Sequence, residues 1–207
     1  MKVLFCNIAW MKYYKGNTEV DRPEFGGSHV VETGEAHEDM NFYPIDIESS
    51  VDDSIKATGS YCHGFYETKA TNGYKRNQTH VEKVNGCGAY KKEDKIEHIL
   101  VVWCAKSRVV GWYINATVSR WYQGPDLEPL DRYYNISAKA EDCTLLPVET
   151  RYGSTWDVPR ARKDGYGFGQ ANVWYPTAPE AEEYLEKLIE NINHYKGENW
   201  VFECPEV

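Results

Sequence analysis

Ile99-Leu100-Val101-Val102-Trp103-Cys104-Ala105 is an unbroken apolar run. Lys106-Ser107-Arg108 follows it, and then comes Val109-Val110-Gly111-Trp112-Tyr113-Ile114-Asn115-Ala116-Thr117-Val118. The first run has the character of a buried strand. The second is β-branched and aromatic, and the polar tripeptide between them makes the turn, so the block predicts a β-hairpin. Working outward, Tyr133, Tyr134 and Ile136 mark a strand over residues 132–137, and residues 3–9 mark the first strand of the chain. Asn41-Phe42-Tyr43-Pro44-Ile45 predicts another short strand, polar residues 46–60 a helix or loop, and residues 61–90 show no sharp pattern. Gly165, Gly167 and Gly169 alternate ahead of Asn172-Val173-Trp174-Tyr175, where the backbone can turn sharply or approach a ligand. A helix over about 178–195 follows. Thr177 and Glu180 have capping-box spacing, and Tyr184, Leu185, Leu188, Ile189 and Ile192 share one face. Many strands and one strong helix predict a single α+β, barrel-like domain over 1–207.

The chain carries a formal charge of -9 over 207 residues, which excludes a protein that coats nucleic acid by bulk charge. The charge is uneven. Eight Glu and two Lys fall in residues 178–207, whereas Arg151, Arg160, Arg162 and Lys163 face only Asp157 across residues 151–163. That basic segment is a candidate phosphate-binding loop, or an ordinary solvated one. No run approaches the roughly 20 apolar residues of a membrane span, and the apolar start is too short for a signal peptide. The six cysteines form no C-x-x-C pair and are expected to be reduced thiols in a cytoplasmic protein.

Catalytic signatures are missing: there is no G-x-S-x-G, P-loop or H-E-x-x-H. Cys62-His63 with Cys87 is a weak metal candidate, and neither a metal nor a cofactor is expected. Aromatic residues near amides remain. Trp10, Trp112, Tyr113 and Trp174 lie close in sequence to Asn7, Asn115, Gln170 and Asn172. Flat rings can stack on bases, and amides can read a base's pairing edge. The competing reading is that these rings plug one end of a barrel. Trp112 and Tyr113 are adjacent in a strand and should face opposite sides, which makes Trp112 the stronger candidate.

Three blocks carry a resemblance. Asn7-Ile8-Ala9-Trp10-Met11-Lys12-Tyr13-Tyr14-Lys15-Gly16, with Gly26-Gly27-Ser28 and Asn41-Phe42-Tyr43-Pro44, is similar to the opening of a bacterial family in which this domain often precedes an HNH nuclease module. The hairpin block resembles that family's "VVW…VVGWYRNATVYR", with Ile114 in place of a basic residue, and Gly169-Gln170-Ala171-Asn172-Val173-Trp174-Tyr175 resembles its "GQSNVWY". The family's amino-terminal domain is similar to EVE and YTH domains of the PUA-like superfamily, small β-barrels that hold a flipped, modified base in an aromatic pocket. The resemblance implies a small PUA-like barrel with flanking helices and a carboxy-terminal amphipathic helix. It also implies a reader of a methylated or hydroxymethylated base, in DNA rather than RNA, within a restriction or defence system. Trp10, Trp112, Trp174 and Tyr113 would then form the pocket with Asn7, Asn115 and Asn172, and Arg151, Arg160, Arg162 and Lys163 would hold phosphates. Residues 177–207 hold no nuclease module, so cutting is expected only from a partner domain or subunit.

Two other readings stay open. One is a reader of modified RNA, which differs by geometry around the 2′-hydroxyl. The other is an enzyme acting on a nucleotide or small molecule, which would need a titratable cluster such as Glu35, His37 and Asp39.

Overall fold

The structure, a computed structural model, describes residues 2–25, 36–47, 59–68, 78–124 and 132–203. Its strands are β1 Val3–Asn7, β2 Pro44–Ile47, β3 Gly59–Gly64, β4 Lys95–Ala105, β5 Arg108–Gln123, β6 Tyr134–Lys139, β7 Cys143–Leu145 and β8 Val173–Trp174. Two single-turn helices, α1 Val148–Arg151 and α2 Ala161–Asp164, precede the long α3 Glu182–His194. The Gly26-Gly27-Ser28 block, Glu35 and most of the 46–60 stretch lie outside the described residues.

The predicted hairpin is the spine of the fold. β4 and β5 pair antiparallel from Ala105↔Arg108 outward, and both strands run further than their apolar cores. Lys106 (φ 50°) and Ser107 (φ 60°) close a two-residue turn, both in the left-handed region. That geometry matches the right-handed twist of the flanking strands, although neither residue is the Gly or Asn that usually adopts it. Gly111 permits a close approach: a Cβ there would run into the Thr144 carbonyl of β7 and the Phe42 ring.

All described strands join one sheet in the order β2-β3-β6-β5-β4-β1-β8, with β7 on β5 and β1 parallel to β4. The expected small barrel is corrected here. The sheet is open, ending at four-residue β2 and two-residue β8, and Pro176 lacks the N–H that would extend β8. Hydrogen bonds also tie the segment around β8 to residues outside the sheet. The His80 N–H donates to the Tyr175 hydroxyl at 3.0 Å, and the Asn172 amide donates to the Glu67 carbonyl at 3.4 Å. The architecture is mixed α+β.

Strand alternation splits the core into two layers. Leu4, Cys6, Val101, Trp103 and Tyr113 pack on one face; Val3, Phe5, Val102, Cys104 and Trp112 pack on the other. The second face is closed by Leu188 and Ile192 of α3. The predicted capping box does not form. A 3-10 turn over Pro179–Ala181 leads into α3, whose N-cap is Ala181 with no side-chain cap bond. Among the described residues, no helix is long and apolar enough to cross a membrane.

Candidate nucleic-acid interface

The turn at Lys106-Ser107 projects beside the segment between α1 and Phe168, and α3 closes the third side. These walls bound a cleft of about 550 Å³, within the size range of ligand pockets. Lys106, Arg108, Arg160, Lys163 and Lys187 line it, against the carboxylates of Asp157 and Asp164. Five cations line the cleft, against Asp157 and Asp164 in its wall and Glu24 and Glu183 paired with Lys106 and Lys187, a small positive excess in a chain whose net charge is -9. A concave site lined by one sign of charge focuses field lines and raises the local concentration of an oppositely charged ligand.

Internal contacts engage Lys106, Arg108, Arg160 and Lys187. Arg108 is ion-paired with Asp157, and Arg160 donates through Nε to Ser107 Oγ at 2.8 Å with its guanidinium over the Phe168 ring. Lys187 pairs with Glu183 one turn earlier on α3, a fully solvated pair of little energetic weight. Lys163 is solvent-exposed. Tyr166 and Tyr184 add aromatic lining, their ring centroids 6.3 Å apart and both backed by Trp174. Among the described residues the buried Tyr184 hydroxyl meets no hydrogen-bond partner, and burial holds its proton well above the usual phenol range. An unpaired buried hydroxyl costs free energy, and a ligand or water that meets it recovers that cost.

A second polar cluster lies around residues 37–41. Asp39 is buried and ion-paired with Arg132, the His37 ring meets Phe65 edge-on at 5.4 Å, and Phe65 lies 5.0 Å from Tyr122. The Asn41 amide brackets the Phe65 backbone through both its oxygen and its nitrogen. Burial, with the charge of Glu67 nearby, pushes the Glu38 carboxyl up to about 7. Of the proposed enzymatic trio, Asp39 is therefore committed to Arg132, and Glu35 lies outside the described residues.

The three tryptophans do not meet in one pocket. Trp10 belongs to one core layer and Trp112 and Trp174 to the other, all under one-tenth exposed. Trp112 stacks on Trp156 at 5.4 Å with Tyr195 edge-on, and Trp174 covers Phe5 at 4.5 Å. Tyr113 is fully buried in the opposite layer from Trp112, its hydroxyl donating to the Asn41 carbonyl. Of the amide residues, Asn7 and Asn172 adjoin through their backbones and Asn115 lies apart on β5. The Asn7 N–H donates to the Asn172 carbonyl at 2.7 Å while its buried Oδ1 meets no partner among the described residues, and Asn115 is exposed at a left-handed position (φ 54°). The basic quartet needs a correction too. Arg151 is completely buried, donating to the Leu146, Met11 and Lys12 carbonyls at 2.8, 2.7 and 2.5 Å, so it holds the fold and reaches no phosphate. Arg160 and Lys163 line the cleft; Arg162 is exposed on α2 outside it.

Lys106, Arg108, Lys187, Tyr166 and Tyr184 escaped the sequence reading. The basic ends of the Lys106-Ser107-Arg108 turn were the available signal. Among the described residues, no group of His, Cys, Asp or Glu has the geometry of a metal site. No family model, curated protein or solved structure matches the chain.

Proposed function

We propose that this chain is a nucleic-acid-binding module that recognises a methylated or hydroxymethylated base, in DNA rather than RNA, as the specificity part of a restriction or defence system. In this reading it is a PUA-like relative of EVE and YTH domains whose sheet stays open, and cutting belongs to a partner nuclease. The observation that carries the proposal is the cleft: five cationic side chains surround two tyrosine rings and an unpartnered hydroxyl in an otherwise acidic chain. The cations suit phosphates. Tyr166 and Tyr184 take the stacking role expected of the tryptophans, and the Tyr184 hydroxyl supplies a hydrogen bond to the base. Flipping a base costs a few kcal/mol, which stacking and edge hydrogen bonds offset. A buried methyl adds only about 0.8 kcal/mol, so the fit around the base must provide much of the discrimination.

The test is a competition titration with matched duplexes that carry or lack the modified base, in DNA and RNA. Preference for modified DNA, reduced in Tyr184→Phe with the melting temperature unchanged, is the expected result. Equal affinity for modified and unmodified duplexes overturns the reading; preference for modified RNA replaces DNA as the ligand.

A further inference from the structure

Lys106 lies between two aromatic rings outside the cleft. Its ammonium is 4.9 Å from the Trp10 centroid and 4.3 Å from that of Phe25, and it pairs with Glu24 at 2.8 Å. Trp10 in turn packs against Tyr152 at 5.8 Å and receives the Arg151 guanidinium on its ring. Phe25 is 75% exposed and Tyr152 57%, so two large rings stand in solvent near the buried Trp10 indole, one linked to it through Lys106 and one packed against it. Exposed rings clustered in this way mark an interaction surface. Their positions are fixed. Backbone hydrogen bonds in both directions between Trp10 and Glu24 hold Phe25, which sits at a left-handed φ of 59°. Arg108 donates to the Gly153 carbonyl beside Tyr152 at 3.4 Å. Lys106 and Arg108 also line the cleft, so the rings and the positive wall form one continuous surface.

We propose that Phe25 and Tyr152 form a stacking platform for unpaired nucleobases whose phosphates run along Lys106 and Arg108 into the cleft. Charge complementarity chooses this occupant. A nucleic-acid strand presents flat apolar bases beside anionic phosphates, and the surface presents exposed rings beside the cations of Lys106 and Arg108. A closed duplex hides its base faces in the stack and can use only the cations. The platform therefore selects a strand that is already open or opened by base flipping. The inference rests on the nucleic-acid reading above but not on which base is modified.

The experiment titrates the full chain with a short unmodified single-stranded DNA and with the matching duplex. Phe25→Ala and Tyr152→Ala remove exposed rings, so their melting temperatures should match the parent's. Each should weaken single-strand binding roughly five- to a hundred-fold, the range for loss of one stacked base, with a much smaller effect on the duplex. Lys106→Met should weaken both ligands and flatten their salt dependence. Equal single-strand affinity in the parent and both ring variants overturns the platform and assigns the rings to a protein surface. Equal losses on single strand and duplex overturn the selectivity for unpaired bases. Loss of modified-base preference in the parent, with the ring effects intact, sinks the reader function but not the platform.

Discussion

Arg151 and Asp21 bind the backbone of the same loop. Asp21 accepts the N–H groups of Lys12 at 2.6 Å, Tyr13 at 2.8 Å and Tyr14 at 3.2 Å, while Arg151 donates to the carbonyls of Met11 and Lys12. The loop has no ladder of its own, and buried peptide groups need partners. The guanidinium's burial lowers its affinity for its proton, and the Tyr14 and Asp21 charges act against that shift. Arg151→Met leaves the Leu146, Met11 and Lys12 carbonyls without their donor, at about 1–3 kcal/mol for each buried group left unsatisfied. Chemical denaturation checks the loss. For molecules still folded, the salt dependence of DNA binding should stay as in the parent, whereas Arg160→Gln with Lys163→Gln should reduce its slope by about 0.9 per lost phosphate contact. An Arg151 variant of normal stability and reduced slope would return this residue to the interface.

How much of this was legible in the sequence depends on distance along the chain. The β4–β5 hairpin could be read because its signal is local: apolar and β-branched residues on both sides of three polar ones. The helix face with Leu188 and Ile192 was readable for the same reason. The cleft was not, because Lys106 and Lys187 meet only after the sheet and α3 pack. Arg151 was misread because Arg162 and Lys163 nearby in sequence are exposed, while two of its three carbonyl partners, on Met11 and Lys12, lie far away in the chain. The tryptophans were misread because nearness to amides in sequence says nothing about which face of a strand they share.

Burial of Trp112 against Trp156 and Tyr195 makes it a core residue. Trp112→Ala should cost ~3–5 kcal/mol through lost contacts and a cavity. The ratio of modified to unmodified DNA affinity should not change. Thermal melts paired with titrations separate the two effects, and a variant of native stability with a collapsed ratio would restore Trp112 to a pocket.

Buried His63 and partly buried Glu38 should make opposite contributions to stability as pH changes. His63 has its affinity for a proton lowered from 6.5 to about 4 by burial. The unfolded chain binds that proton more readily, so this contribution is full above 6.5 and is lost as pH falls toward 4. Glu38 has its carboxyl raised from 4.5 to about 7. The folded chain holds that proton more tightly, so this contribution is full below 4.5 and is lost as pH rises toward 7. Across roughly pH 4.5–6.5 the two slopes oppose, and the parent should show a flattened profile. Glu38→Gln should expose a rising profile, and His63→Asn a falling one, each by a kcal/mol or two over the window. Denaturant midpoints at half-unit pH steps provide the readout. Parallel profiles for the parent and both variants would place the two titrations elsewhere.

Lys106 and Ser107 occupy a turn whose backbone favours other residues. Left-handed conformation costs an ordinary L-residue roughly 1–2 kcal/mol, and Asn-Gly is the pair that fits this two-residue geometry. The double change Lys106→Asn with Ser107→Gly should therefore stabilise the hairpin, by about 2–4 °C in melting temperature per kcal/mol for a chain of this length. It also removes the ammonium shared by the Trp10 and Phe25 rings and the cleft, and the hydroxyl that accepts from Arg160. Nucleic-acid affinity should fall while stability rises, as expected where a site maintains local strain for function. Ser107→Gly alone separates the contributions, since it relieves one strained residue and keeps the lysine. It should recover part of the stability gain with a smaller loss of affinity. If the double variant gains stability and binds nucleic acid as the parent does, the strain at this turn serves something other than the interface. If it loses stability, packing of Lys106 on the two rings outweighs the cost of the turn.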